Sequence, residues 1–548
     1  MIKDHAVPNV PRVFAESPVL SAGSDCRKHA MKQIVRLIVL VVSSLCGAPL
    51  FGAPSAESLP AFPGAEGFDT HLCTHGRGGR VLIVDSLEDN KQGAPVRGTF
   101  RWACEAVTGP RIVVFRVGGV LELTRKVTVA PDAYIAGQTA PGDGICITRA
   151  GLNLASNTLV RHLRFRPGDA MPGASLTKRD AFEIHGENII VDHCSVSWTT
   201  DECFRVNGGK NVTLSHCFFG EGLHIALRAE MHNYGPALEP NAETGGMSEN
   251  VAFHHCLLNG FAARSPLIGN GDREVHAIFA NNVIYNYGGG KYPPLHTYAP
   301  KTSGKKAGAA FGRVDVIANY FKEGPVSPPG APCVEVHGAY PNGGVHLAGN
   351  LSANHPAPGD EWNSLMAGAD DPAVRARRSD QAQHVDPDIT ITDAVVAFRQ
   401  VTSASGATKP RRDTVDERFV RDVLGGSAFR GTGGSKARAA SVDANRGEFR
   451  AYYDYIFADP AKILERHASG PHKNLGLKLE DIDPVPGAKE YFEQFRGGPA
   501  PVDADADGLA DDWEQTHGLN SNDANDNTRR MPSGYTAVEE YVNRLAQP

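Results

Sequence analysis

The sequence lacks a concentration of positive charge. Its 55 lysines and arginines are outnumbered by 62 aspartates and glutamates, for a formal net charge of −7, and no basic stripe interrupts that balance. The electrostatic footprint of a nucleic-acid-binding protein is therefore excluded. None of the ten cysteines stands in CxxC spacing, which excludes a cysteine-based zinc site. The apolar run LIVLVVSSL at 37–45 is shorter than the about 20 residues of a membrane-spanning helix. Long helices are scarce too, because 59 glycines and 37 prolines break the chain at short intervals. What remains is a turn-rich globular composition, 41% hydrophobic and 21% charged, in a chain of 548 residues, too long for one ordinary core.

The start of the chain has the pattern of an export signal. Residues 31–36, MKQIVR, are basic; the apolar run follows, then the small residues CGAPLFGAPSA. Cleavage is expected between Ala48 and Ala56, with translation starting at Met31 and residues 1–56 removed. The mature protein is then secreted, periplasmic or at the cell surface, with no membrane span. In such a compartment Cys73 and Cys104 are candidates to pair.

A repeat fills the middle of the chain. LVRHLRF from Leu159, IIVDHCSV from Ile189, VTLSHCFF from Val212 and VAFHHCLL from Val251 align by eye. AIFANNVI from Ala277, VDVIANYF from Val314 and VHLAGNLS from Val345 continue the series. The starts are 30, 23, 39, 26, 37 and 31 residues apart, about one short-stranded coil each plus loops. One column reads Leu163, Cys194, Cys217, Cys256, Asn282, Asn319, Asn350, preceded in four coils by His162, His193, His216 and His255. In-register stacking accounts for it: asparagine amides bond to their copies in neighbouring coils, and thiols pack where no amide is needed. The histidines are thus assigned to the scaffold. A β-sandwich would not carry one column through successive Cys and Asn blocks. The expected fold is all-β, a parallel β-helix spanning 57–355.

Periodicity fades over 356–496, which is expected to form loops and helices packed along the β-helix, and 497–502, GGPAPV, is expected to be a linker. Residues 503–548 open with DADADGLADDWE. Asp503, Asp505, Asp507, Asp511 and Glu514 stand at positions 1, 3, 5, 9 and 12 of a calcium loop, with Gly508 at position 6 for the tight turn. This small EF-hand-type module resembles dockerin-like or thrombospondin-type repeats, which implies a structural ion and a connector to a protein or surface partner.

Several segments, two of them overlapping copies of the repeat, carry a further resemblance. FPGAEGF, GGRVLIVDSL, RIVVFRVGGVLEL, YIAGQTAPG, VRHLRFRPGD, DAFEI, VDHCSVSWTTDE and ARSP occur in order across roughly residues 58–350. Together they resemble the pectate lyases of polysaccharide lyase family 1, in particular secreted bacterial members that also end in GYT-x-x-EEY. The resemblance implies a right-handed parallel β-helix, calcium, and β-elimination on an acidic polysaccharide, pectate or a related polyuronate. It implies calcium ligands at Asp180 and Asp201. At the third ligand position this chain has Arg205, leaving Glu202 as a substitute ligand and Arg205 as a fork for a substrate carboxylate. Lys178 stands where some members have another acid. Arg264 matches the family's base in R-x-P-x-x-R, with Gly269 in place of the second arginine, and His224 falls where a substrate-binding lysine is expected. His224 and His232 are alternative bases.

A polygalacturonase-type hydrolase would need paired carboxylates, but its NTD, DD, GHG and RIK motifs are not found together in the repeat. In a strand, moreover, the adjacent Asp201 and Glu202 would point to opposite faces. A non-catalytic, polysaccharide-binding β-helix is the other alternative.

Overall fold

The computed structural model describes residues 59–547 except 69, 72–74, 91, 170–179, 225–232, 242–245, 270–272, 289–292, 298–311, 338–342, 358, 385–386, 428–454, 470–477 and 480–481. The signal-like segment with Met31, and Cys73, Lys178 and His232, lie outside the described residues.

Short β-branched runs form the strands, and many of them are covered on both faces. Arg111–Phe115 is buried along its whole length, as a parallel strand between an interior and a covering layer must be. The strands stack into three parallel sheets. A ten-stranded sheet runs from Arg80–Val84 to Gly344–Ala348 and carries the repeat. An eight-stranded sheet, the groove sheet, runs from Val127–Val129 to Val334–Glu335; a third, also of eight strands, runs from Gly119–Glu122 to Tyr320–Lys322. This is the right-handed parallel β-helix.

Ile189 pairs with Val212, Val212 with Val251, Val251 with Ala277, and so on to Val345, the register expected from the repeat. The first coil differs by one residue. Ile189 faces Thr158, not Leu159, so the Leu163–Cys194 column holds while the first copy begins one position earlier.

The column is a continuous hydrogen-bonded ladder. Cys194 N donates to Cys217 Sγ (3.4 Å), Cys217 N to Cys256 Sγ (3.3 Å) and Cys256 N to Asn282 Oδ1 (2.9 Å). Asn282 and Asn319 repeat the contact to Asn319 and Asn350 at 2.9 Å, and Glu361 caps the series on Asn350. The preceding position is left-handed in each coil, with φ of 54°, 49°, 50° and 52° at His162, His193, His216 and His255. Their rings stack 4.8–5.1 Å apart, a scaffold role. A second ladder crosses the other end of the same sheet, where Asn157, Asn188, Asn211 and Asn250 pass one amide bond per coil at 2.9–3.1 Å. Cys104 is a buried free thiol, pushed up to about 12 by burial.

The 356–496 region contributes helices Ala394–Ala404, Thr414–Gly425, Pro460–Ser469 and Ala488–Gln494. Val401, Val415, Phe419 and Tyr491 cover Cys146, Phe218, Leu257 and Tyr285 of the third sheet. A buried ion network fastens them: Arg166 Nη2 lies 2.8 Å from Asp413 Oδ2 and 3.0 Å from Asp416 Oδ1. The C-terminal helices Asp511–His517 and Ala537–Leu545 lie on the outer face of the ten-stranded sheet, where Leu509, Trp513 and Val542 cluster with Ile112, Val114 and Leu159. Gly497 presses on the Gly118 backbone, so the 497–502 segment runs against the β-helix as well. No helix among the described residues is long and apolar enough to cross a membrane.

Candidate active site

The coils turn from the third sheet into the groove sheet, and the described residues just ahead of the groove strands stack in register. Ala181 N donates to Cys203 O (3.1 Å), Cys203 N to Tyr234 O (3.1 Å) and Gly235 N to Ala263 O (3.0 Å). Glu202, Tyr234 and Ala263 form consecutive parallel bridges. Asp180, Asp201–Glu202, Tyr234 and Arg264 are thereby aligned ahead of strands Phe182–Ile184, Phe204–Asn207, Ala237–Glu239 and Leu267–Ile268. Glycine is required at 235, since a Cβ there would lie 1.9 Å from Arg264 O. Arg264 itself is held at φ 65°, an uncommon left-handed conformation for a residue with a side chain.

Carboxylate oxygens of Asp180, Asp201 and Glu202 lie within 4.8 Å of one another. All three residues are buried, at 2, 1 and 3% exposure. The expectation that Asp201 and Glu202 point apart is corrected here. They sit in the turn before the strand, where side chains do not alternate.

Two guanidiniums meet these acids. Arg205 Nη2 donates to Glu202 Oε2 at 2.6 Å, its Nε stands 3.6 Å from Asp180 Oδ2 and its Nη1 3.5 Å from Glu239 Oε2. Arg264 Nη1 donates to Glu202 Oε1, and its guanidinium lies 4.2 Å over the Tyr234 ring. With all groups ionised, the four carboxylates of Asp180, Asp201, Glu202 and Glu239 against two guanidiniums leave two excess negative charges. Burial, and then the Asp201 charge, push Asp180 well above the usual carboxylate range. Its Oδ1 is buried without a hydrogen-bond partner.

A buried, unpartnered carboxylate oxygen in a cluster with two excess negative charges is the donor set a hard dication takes. Asp180 and Asp201 fit calcium. Glu202 is the poorer candidate ligand, because the two arginines engage both of its oxygens.

Farther along the groove sheet, Lys126 Nζ lies 2.5 Å from Glu183 Oε1. The hydrogen bond from His185 (3.0 Å), with Lys126, brings Glu183 down to about 2. His224 is 1% exposed beside Leu223, whose N–H bonds to Thr199 O (2.8 Å), at the start of the 225–232 segment. Gly269 continues the groove strand, its N–H bonded to Leu238 O (2.9 Å), with no side chain to act as a second cation. His296, in register with Leu267, is buried and pushed down to about 4 by that burial, with Arg264 contributing.

Tyr234, Glu239, Lys126 and His296 were not singled out from the sequence. The repeat alignment followed the ten-stranded sheet, and the groove strands are too short, two to four residues, to show a period of their own. Continuing each coil to the position three residues before its groove strand would have found Tyr234 beside Arg264.

The stacked coils and the acid–arginine cluster ahead of one sheet define a right-handed parallel β-helix protein with a charged groove. Among known proteins, no family model matches the chain. It is 30% identical over 500 residues to a probable pectate lyase C of Aspergillus terreus, covering 90% of this chain and 95% of that one. With the corresponding Aspergillus flavus protein it shares 31% over 499 residues, covering 89 and 94%. A pectate lyase from Bacillus sp. N165, solved in complex with trigalacturonate, is similar at 15% identity and a TM-score of 0.40, over 63% of this chain and 98% of that one. The chain belongs to the pectate lyase family.

Proposed function

We propose that this protein is a secreted lyase that cleaves pectate or a related uronate polymer by β-elimination. The observation that carries this is the convergence of Asp180, Asp201 and Glu202 with Arg205 and Arg264 ahead of one sheet, in a chain of the pectate lyase family.

Elimination removes the C5 proton of a uronate, places the electron pair in a C4–C5 double bond and expels the C4 oxygen. Deprotonation beside a carboxylate accumulates negative charge, so cations must surround that carboxylate. Calcium, held by Asp180 and Asp201 with Glu202 close by, would supply one such charge when bound. Arg205 offers a planar fork to a substrate carboxylate, and Lys126 a point charge on the same sheet. Arg264 is the base. A guanidine accepts a proton only when neutral, so its bond to Glu202 has to be exchanged as substrate arrives; Tyr234 holds the guanidinium plane while this happens. His224, buried at the adjoining turn, is the alternative base.

The 31–56 segment supports export, and the GYTAVEEY tail at 534–541 supports grouping with secreted bacterial members. The test is incubation with polygalacturonate, with and without calcium. A calcium-dependent rise in ultraviolet absorbance of an unsaturated uronide is expected. New reducing ends without that rise would indicate a hydrolase, and neither signal a binding protein; both refute the proposal.

A further inference from the structure

The acidic loop at 503–514 has a different ligand set from the one its spacing suggests. Carboxylate oxygens of Asp503, Asp505 and Asp507 lie within 4.8 Å of one another, and so do those of Asp507, Glu514 and Asp526. Two triads therefore share Asp507. Asp511, at the ninth loop position, is turned to the backbone, its Oδ1 accepting from Ala504 N at 2.8 Å. Asp526 comes instead from the following loop, positioned by Asn520 N on its Oδ2 (2.8 Å) and by the neighbouring Asn527, whose Nδ2 donates to Asp507 O (2.9 Å).

Acidic loops are common without ions, so the cluster alone decides nothing. The unpartnered atoms do. Glu514 is fully buried and Asp507 is 3% exposed. Both oxygens of Glu514, Oδ2 of Asp507, both oxygens of Asp505 and Oδ1 of Asp526 are buried without a hydrogen-bond partner. Buried polar atoms are ordinarily satisfied, and six unsatisfied carboxylate oxygens converging from two loops leave a cation as the group that satisfies them together. The nearest guanidinium reaches only the rim: Arg116 Nη1 lies 3.2 Å from Asp503 Oδ2.

The surroundings say what an ion would do there. Gly508 is pressed against the first strand of the ten-stranded sheet, where a Cβ would lie 2.6 Å from Val81 Cγ1. Arg116, just after the second strand, also donates to the carbonyls of Asp503 (3.2 Å) and Pro501 (3.3 Å). Leu509 and Trp513, within the loop, pack on Ile112 and Val114. We propose that Asp503, Asp505, Asp507, Glu514 and Asp526 bind one calcium ion that works as a clasp, fastening the C-terminal helices over the first coils of the β-helix. This site is on a different sheet from the groove acids and is independent of pectate cleavage.

The test uses the full-length protein and terbium as the calcium probe. Trp513, next to Glu514, should sensitise terbium luminescence, and calcium should displace the signal. Asp526→Asn should weaken terbium binding at least tenfold, while Asp511→Asn, which keeps its oxygen for Ala504 N, should stay within about twofold. Trp513→Phe should lose the luminescence yet keep the calcium-dependent rise in melting midpoint, about 3 °C at a hundredfold excess over Kd. Asp505→Asn/Glu514→Gln should lose the luminescence and keep only the part of the calcium-dependent rise that the groove acids supply. Wild-type terbium affinity in Asp526→Asn, or an unchanged calcium shift in the double variant, would overturn the proposal.

Discussion

Replacing Arg264 by lysine and by alanine separates its chemical role from its structural one. Its guanidinium meets a buried oxygen of Glu202 and the face of Tyr234. Alanine removes both. Breaking a buried ion pair costs about 3–5 kcal/mol, and the low end applies because Arg205 still holds the other oxygen of Glu202. The lost cation–π contact adds about 1 kcal/mol. Arg264→Ala should thus be about 3–4 kcal/mol less stable. Lysine keeps a cation beside Glu202 but cannot place a planar nitrogen against Tyr234, so Arg264→Lys should lose only about 1 kcal/mol. Activity should not follow stability. A positioned base contributes roughly 10²–10⁴-fold, equivalent to about 2.7–5.5 kcal/mol. Both variants should therefore lose that much kcat on polygalacturonate, followed by unsaturated-product absorbance on protein shown to be folded at the assay temperature. An Arg264→Lys enzyme within threefold of wild type would refute the assignment of Arg264 as base and turn attention to His224.

Arg205→Asp exchanges a guanidinium that faces Asp180, Glu202 and Glu239 for a fifth carboxylate. In chelator the melting midpoint should fall, by the equivalent of about 3–5 kcal/mol, and calcium should restore much of it; no calcium response beyond that of wild type would argue against a cation among these acids. In the ladder, Asn319→Ala removes the acceptor of two bonds from Asn282 and the donor to Asn350 and Phe279. It should cost about 4 kcal/mol, against about 1–2 kcal/mol for Cys217→Ala, whose sulfur accepts one weak bond from Cys194 N; equal thermal shifts would deny the amides their role. His255 and His296, pushed down to about 3 and about 4 by burial, bind protons more readily when unfolded. Each should withdraw stability as pH falls below about 6.5, by up to about 3 kcal/mol at pH 4, and denaturation midpoints of His296→Gln between pH 7 and 4.5 should show a reduced slope.

The scaffold was legible because its signals repeat. Seven copies of one column fixed the register of the ten-stranded sheet, and the aligned histidines marked a left-handed position that no single coil would have revealed. The second asparagine ladder carried the same kind of signal, an Asn one residue before each of Thr158, Ile189, Val212 and Val251, but asparagine is also common in ordinary turns. The groove was harder for a physical reason. Several of its residues come from turns, and turns release side chains from the two-residue alternation of a strand, so Asp201 and Glu202 converge where a strand would have parted them. The charge balance is a property of the assembled coils, turn and strand residues together, and not of any motif. Arg205 stands where a third acid was expected, yet it lies against Asp180, Glu202 and Glu239 at once. An arginine in place of an acid shifts the groove by two charges, and an extra acid from the neighbouring coil, Glu239, offsets one of them. The departure at 205 is therefore compensated in part within the site, and the acid cluster keeps an excess of negative charge although one of its expected members has changed sign.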